Sequence, residues 1–520
     1  MDVVDGQESL DVEVELEQES QSISIIEHDL PIKFVEFRNI RQWLKYLNPD
    51  VIPISRNTTK VDVLKIHMRE KEKLKELMVR IPSRISLTYD LWTTCTTKGY
   101  ICLTAHFIDT NWRLNSKILN FCHMPPPHIG HELSKKILDF LIDWGTKKKI
   151  FSWVVQEHLK SQLVLQNNGL LCDEDFFHVN CSTHVLNLIV KERQKVCSKA
   201  LEKIRDSVIY VRGSESRMKK FKECIERVGG VDTSASLCLD VPTSLHFHDE
   251  NYTYCPSVEE WKIGEKIYVF LLPFYETTNL ILEESYHTSN FYFLQVSKIQ
   301  CVILASLNDD DGVFEKYWEE YSVVPALGAV LNPRIKLSLL EYCYSKVDAS
   351  TSESKLQKVK NKLYKLFKHY SFKEQNTTTT QGTPISNIVN EPKSSFSQLL
   401  FNLVCKIGKS QLEVYLEESN LDFSYHENLD VLHWWKDNNN RYPDLSLMAS
   451  DLLSIPMTIV ASKSAFSIGF IVLGKYRSRL LSKNANALIC THNWLLGFVN
   501  DNNLFNLNLV IYYYDNHLHV

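Results

Sequence analysis

The sequence predicts an α/β fold, and three observations carry the prediction. Between Arg84 and Phe121, two alternating runs bracket an almost wholly apolar one, which is the pattern of an antiparallel meander. The hydrophobic period then lengthens to that of a helix over His131–Trp144, and an apolar run follows at Ile150–Val155. Helical periodicity, not alternation, dominates most of the remaining chain.

In the first strand, Ile85, Leu87 and Tyr89 alternate with Ser86, Thr88 and Asp90, the period of a half-buried strand. Tyr100–Ile108 fits a central strand. Trp112–Phe121 alternates again, with Trp112, Leu114, Ser116, Ile118 and Asn120 against Arg113, Asn115 and Lys117. Turns fall at Lys98-Gly99 and at Asp109-Thr110-Asn111. Leu133, Ile137, Leu141 and Trp144 then share one helical face. Three antiparallel strands, a helix and a further strand open an RNase H-like sheet. That fold holds metal-bound carboxylates at its strand ends, and Asp90 stands at the end of the first strand.

At 520 residues the chain exceeds one compact core, and about 150 residues per domain gives roughly three units. The hydrophobic content of 44% is that of a soluble globular protein. No apolar run reaches the roughly 18 residues that a transmembrane helix needs. The acidic N-terminus has no apolar core of a secretory signal. Thirteen Cys without a CxxC pair predict reduced, intracellular thiols. A net charge of -5 argues against a uniformly basic DNA-coating protein, and leaves room for local basic faces.

In order, residues 1–30 read as an acidic disordered tail, with eight acids and no Lys or Arg in residues 1–20. Residues 31–83 read as a helical segment, and 84–195 as the sheet and its first helices, including a strand at Phe176–Cys181. Residues 196–371 read as a helical insertion. Its basic residues Lys199, Lys203, Arg205, Arg217, Lys219 and Lys220 lie on one stretch. A second stretch, Lys355–Lys368, has six Lys and no acid, among them Lys358, Lys362 and Lys365. Leu356, Val359, Leu363 and Leu366 form its other face. Residues 372–395 read as a linker, 396–497 as the last ordered unit and 498–520 as a tail.

Several blocks resemble the hAT superfamily of transposases, in particular its RICESLEEPER/DAYSLEEPER type. ISLTYDLWTT (Ile85–Thr94) is similar to the family's first-carboxylate strand, and FFHVNCSTHVLNLIV (Phe176–Val190) to its Cys-x-x-His block. SVEEWKIGEKIYVFLLPFYETTNLI (Ser257–Ile281) is similar to its helical insertion. Leu429–Ser467 and Tyr476–Leu495 are similar to its C-terminal dimerisation region. The resemblance implies an RNase H-like core interrupted by a large all-helical insertion and completed by the C-terminal hAT dimerisation region. It implies DNA strand cleavage and joining, in which three carboxylates hold two divalent ions, and it implies a nuclear location.

The chain departs from that pattern at the residues that matter most. Asp90 matches the first carboxylate. The family's V-D-N-A stretch should follow Ile150–Val155, yet the chain runs Phe151-Ser152-Trp153-Val154-Val155-Gln156. In the A-S-E-S-A-F-S block the acid's place is taken by Lys463, within Ala461–Ser467. A BED-type zinc finger near the start is a family feature, but the first Cys here is Cys95, so the reading is a member without it. Cys181 and His184 could face one way on a helix start, but four ligands are usual for zinc, so no metal site is assigned.

The expectation is therefore a transposase-derived protein with Asp90 as a catalytic remnant, no cofactor and no enzyme activity. Its DNA contacts would be non-specific and supplied by the basic residues named above. Dimerisation, with itself or with a related hAT protein, would use Leu412, Leu416, Trp434, Trp435, Leu445, Leu452, Leu453, Phe466 and Trp494, and no membrane is involved. The alternatives are an active transposase using Mg²⁺ and a decayed element product without function.

Overall fold

The computed structural model describes residues 18–93, 98–125, 130–154, 178–179, 186, 189–190, 198–228, 252, 255–283, 289–306, 323–371, 409–426, 428–457, 460–473 and 480–498. The chain divides into two compact units, one of residues 1–181, 283–293 and 321–520, the other of 182–282 and 294–320. The stretch 321–371, read from the sequence as part of the insertion, thus groups with the sheet. Among the described residues no helix is long and apolar enough to cross a membrane.

The first unit is built on a sheet of β1 (Ile85–Thr93), β2 (Gly99–Ile108), β3 (Leu114–His123), β4 (Ile150–Val154) and β5 (His178–Val179), ordered β3-β2-β1-β4-β5. β1, β2 and β3 form the predicted antiparallel meander, and β4 pairs parallel with β1 and β5. A parallel neighbour needs a crossover, which helix α4 (Gly130–Trp144) supplies between β3 and β4. β3 begins at Leu114, two residues later than predicted, because Trp112 sits in the preceding turn with φ 62. The predicted strand Phe176–Cys181 is described only at His178–Val179.

Alternation sends each strand's apolar side chains to opposite layers. On one face, Ile85, Leu87, Tyr89, Ile101, Leu103 and Phe107 meet Leu133, Ile137, Leu141 and Trp144 of α4. Leu74 and Met78 of α3 (Arg56–Arg80) close that layer. On the other face, Tyr100, Cys102, Ile118 and Phe121 meet Ala465 and Phe466 of α15 (Val460–Val472) and Leu488 and Ile489 of α16 (Ser482–Leu496). Ile25 and Ile26, on helix α1 (18–27), join the same layer and are each 1% exposed. The acidic tail of the sequence reading therefore does not extend to residue 30. Its acids run up to a helix whose own apolar residues enter the core. Helix α2 (Arg38–Leu47) lies between α1 and α3 in the chain.

α16 seals the exposed edge of β3. Asn486 Oδ1 accepts from Phe121 N and Asn493 Oδ1 from Ile118 N, both at 2.8 Å. Ser482 Oγ accepts from His123 N at 3.2 Å, and Trp494 Nε1 donates to Ile118 O at 2.7 Å. An edge strand offers unpaired backbone groups to any passing strand, and here a helix satisfies them.

The remaining helices of this unit are α9 (Val323–Val330), α10 (Lys336–Val347), α11 (Ser352–Ser371), α12 (Gln411–Glu417), α13 (Val431–Asp437) and α14 (Pro443–Leu453). Trp435 Nε1 donates to Leu331 O at 2.9 Å, and Tyr415 OH to Val330 O at 3.0 Å. Lys336 Nζ donates to Tyr415 O at 2.6 Å and Glu418 O at 2.9 Å, closing the C-terminus of α12 where its carbonyls have no helical partner. Pro443 stands at the first turn of α14, where its missing N–H costs nothing.

In the second unit, α5 (Ser198–Arg212), α6 (Glu215–Val228) and α7 (Val258–Glu283) follow, with most of α8 (Ser289–Ser306). Val211, Cys224 and Tyr252 form a small core with Met218 and Phe221. Gly264 lets α7 approach α5, since a Cβ there would stand 2.7 Å from Ile204 Cδ1.

Candidate functional site at the Asp90 end of the central strand

Alternation along β1 puts Ser86, Thr88, Asp90 and Trp92 on one face. The first two are buried and polar, and each finds a partner. Ser152 Oγ donates to Ser86 Oγ at 2.9 Å, and Ser86 Oγ is 3.3 Å from Ser454 Oγ. Thr88 Oγ1 lies 2.9 Å from His106 Nε2, and the other ring nitrogen lies 2.9 Å from Ser116 Oγ. Burial pushes the His106 pKa down to about 3, so the ring is neutral. This half of the face is a satisfied polar core.

Asp90 is half-buried, opposite Cys102 on β2, and its Oδ1 accepts from Leu91 N at 2.9 Å. Beyond it Trp92 stacks on Phe466 with ring centroids 5.6 Å apart. Phe466 also meets Phe121 edge-on at 6.0 Å. Gly469, one turn on, admits this contact: a Cβ there would stand 3.0 Å from Phe121 Cζ. α15 therefore lies across the Asp90 face. The chain touches that face at Ser454, beside Ser86, and again at Phe466, beside Trp92. Position 463 falls between these anchors on the backbone of α15.

The fold class implies divalent ions at such a strand end, held by several convergent carboxylates. Asp90 lies towards the C-terminal end of β1. Position 463 of the helix is Lys. Gln156 and Glu157, which follow β4, lie outside the described residues. Among the described residues no three His, Cys, Asp or Glu side chains converge as a metal site. Among the described residues the donor set does not make up a two-metal centre.

The predicted dimerisation residues go elsewhere. Leu412, Trp435, Leu445, Leu452 and Leu453 are 0% exposed within a single copy. They are core of their own unit, not a surface offered to a partner. Phe466 is spent on the sheet, and Trp494 bonds β3 and stacks on His67 at 4.8 Å. Trp434 and Leu416 are half-buried, Trp434 packing edge-on to Trp435. The density of apolar residues that suggested an interface is the completion of the core.

The predicted basic residues fall in two places. Lys199, Lys203, Arg205, Lys219 and Lys220 are exposed on α5 and α6, and Arg217 lies over the Tyr210 ring at 4.0 Å. Lys203 also pairs with Glu260 at 2.7 Å. Lys358 and Lys365 are exposed and Lys362 half-exposed on α11, whose Leu356, Val359, Leu363 and Leu366 are buried as their spacing predicts. The second group belongs to the first unit and the first group to the second.

Sequence reasoning missed Asp451. This α14 carboxylate is 1% exposed. Its Oδ1 accepts from Arg84 N at 2.6 Å and its Oδ2 from Tyr370 OH at 2.5 Å. Arg84 Nη1 stands 3.7 Å from Oδ2 and donates to Tyr370 OH at 3.1 Å. The group ties α14 and α11 to the start of β1. The signal was present as a lone acid inside the apolar run Leu445–Leu453. An acid buried there needs a partner, but only the fold names it.

Comparison with known proteins agrees with this architecture. Residues 411–495 match the hAT family C-terminal dimerisation region, and 290–370 the RNase-H fold of hAT-like transposases. Residues 88–178 match the ZBED1 RNase-like domain and 179–246 its helical domain. The putative AC transposase of Zea mays is 29% identical over 521 residues, covering 91% of this chain and 64% of that protein. The chain thus spans just under two thirds of that relative's length. The zinc finger BED domain-containing protein RICESLEEPER 2 of Oryza sativa subsp. japonica is 30% identical over 532 residues, covering 91% of this chain and 73% of its own length. DAYSLEEPER of Arabidopsis thaliana, another zinc finger BED domain-containing protein, is 28% identical, with 91% and 72% covered. With its sheet ordered β3-β2-β1-β4-β5, a helical unit following it and a matching C-terminal region, the chain belongs to the hAT family of transposases and transposase-related proteins.

Proposed function

We propose that this chain is a transposase-derived protein that no longer cuts or joins DNA, that associates with itself or with a related hAT protein, and that contacts DNA in the nucleus. The observation that carries the loss of catalysis is the residue at 463. The helix that holds it packs on the Asp90 face of β1 through Phe466, which stacks on Trp92. A lysine there changes the local charge by two units from that of a carboxylate, and repels the ions that the acid would hold. DNA contact rests on the exposed lysines and arginines of α5, α6 and α11. Such contacts neutralise phosphates without reading bases. Association rests on the family's C-terminal dimerisation region at 411–495.

The test of catalysis is a strand-cleavage and strand-transfer assay on family-type terminal repeats with Mg²⁺ or Mn²⁺. The expected result is no product, and none from Lys463→Glu either, because the second acid is still missing from Phe151–Gln156. Metal-dependent joined products that vanish in Asp90→Ala would make the active-enzyme reading the right one. Association is tested by light scattering on the whole chain, because α14 and α15 pack into the core of the sheet unit and are not a separable piece. A monomer at every micromolar concentration would overturn that part.

A further inference from the structure

Helix α2 is amphipathic, yet none of its residues is buried. Ile40, Trp43, Leu44 and Leu47 recur at helical spacing on one stripe. Trp43 is 58% exposed, Tyr46 85% and Leu47 61%, and exposed Phe37 and Ile52 extend the patch at either end of the helix. A large aromatic and aliphatic stripe left in water marks a surface built to be covered. Ile40 and Leu44 are half-buried against the fold and Phe37 packs edge-on to Phe34 at 5.8 Å, so the part left in water is that of Trp43, Tyr46 and Leu47.

We propose that this stripe is covered by residues 1–17 of the same chain. Three observations choose that occupant. The first is charge. α2 presents exposed Arg38 and Lys45 and no acid, its third base Arg41 donating instead to Val35 O and Ile54 O, whereas residues 1–17 carry seven acids and no base, with Val12, Val14 and Leu16 set among them. A second copy's α2 would instead bring two cations against two, and like charges facing each other cost several kcal/mol. The second is position. α1 is described from residue 18, one turn before Gln21, and Gln21 Nε2 donates to Ile52 O at 3.3 Å. The point where residues 1–17 join the described fold is therefore close to Ile52. The third is reach. An extended 17-residue chain spans up to about 55 Å, several times the roughly 15 Å length of a ten-residue helix. The next acid along, Glu19, already pairs with a base of α3, Arg69, at 2.5 Å. This inference is independent of whether the chain cleaves or holds DNA.

The experiment uses the full chain in two measurements. Carbodiimide joins a lysine amine to a carboxylate that touches it, so peptide mapping should find Lys45 linked to Glu13, Glu15 or Glu17. In a mixture of ¹⁴N- and ¹⁵N-labelled protein, those links should stay within one label. Deuterium exchange of the α2 amides should quicken about tenfold when Glu13, Glu15 and Glu17 are all changed to Lys, because a helix stripped of its cover opens locally. Adding Arg38→Glu and Lys45→Glu to that variant should restore the protection. Exchange of the β1–β3 amides, unchanged from the parent, shows that the reversed variant keeps its fold. Unchanged α2 exchange in the reversed variant would overturn the proposal. So would links between differently labelled copies, which assign the stripe to a second copy, or α2 protection that appears only when duplex DNA is added.

Discussion

The contact between Tyr370 and Asp451 decides how firmly the C-terminal helices hold the strand that carries Asp90. Tyr370→Phe removes one hydroxyl, which donates to a buried carboxylate at 2.5 Å and accepts from Arg84 Nη1 at 3.1 Å. A hydrogen bond to a charged group contributes about 1.5–3 kcal/mol. Asp451→Ala removes the acceptor itself and leaves Arg84 N–H and the Tyr370 hydroxyl without it. Breaking a buried charged pair from one side costs about 3–5 kcal/mol. Because the chain has two units, a single global unfolding free energy is ill defined, so the measurement should be local. Native-state hydrogen exchange of the peptides that cover β1 and α14 reports the opening of this junction. Tyr370→Phe should accelerate it by roughly 10- to 150-fold. In Tyr370→Phe/Asp451→Ala the effects should fall short of their sum by about 0.5–3 kcal/mol, as expected for residues in contact. Tyr364→Phe on the same helix, where the ring is 42% exposed, should change nothing. Additive single effects, or a Tyr370→Phe rate within twofold of the parent, would refute the reasoning.

The helix-sealed edge makes a second prediction: Asn486→Ala deprives Phe121 N–H of its acceptor, and β3 exchange should quicken by about 5- to 100-fold. The histidines set the response to pH. Burial holds His106 down to about 3, and burial followed by nearby Lys71 holds His67 down to about 4. Both are neutral when folded, so their contribution is whole above about pH 6.5 and declines as pH falls below it, where the unfolded chain takes up the protons. His492 runs the other way. Burial lowers its pKa, but the Asp29 carboxylate at 3.3 Å and the Ile26 carbonyl at 2.9 Å raise it overall. Its contribution is whole below about pH 6.5 and is lost as pH rises through the raised value. The protection of the β2, β3 and α16 amides against exchange, measured against pH and corrected for the intrinsic rate, should thus fall on both sides, and Asp29→Asn should remove the alkaline fall alone. On DNA, Lys199→Ala with Lys219→Ala should flatten the slope of log affinity against log salt by about 0.9 per lysine without changing sequence preference. An unchanged slope would take α5 and α6 out of the interface.

The meander, its first helix and the fourth strand could be read directly, because period two and period 3.6 are local consequences of burying one face. Ile85, Leu87 and Tyr89 on one side and Ser86, Thr88 and Asp90 on the other are where the alternation puts them. The apolar face of α11 was legible for the same reason, and the cation at 463 is a fact of the sequence alone. Periodicity, however, says that a face is covered and not by what. Leu445, Leu452 and Leu453 read equally well as an interface or a core, and only the fold shows them closed within one copy. The bond from Asn493 to Ile118 spans 375 residues of chain, and the one from Asp451 to Arg84 spans 367. Such pairings leave no local trace, because the partner's identity depends on which elements the whole chain brings together. Ile25 and Ile26 were lost in an acidic stretch for the same reason. Composition over a window averages away two residues whose burial is decided by α3 and α16, far along the chain.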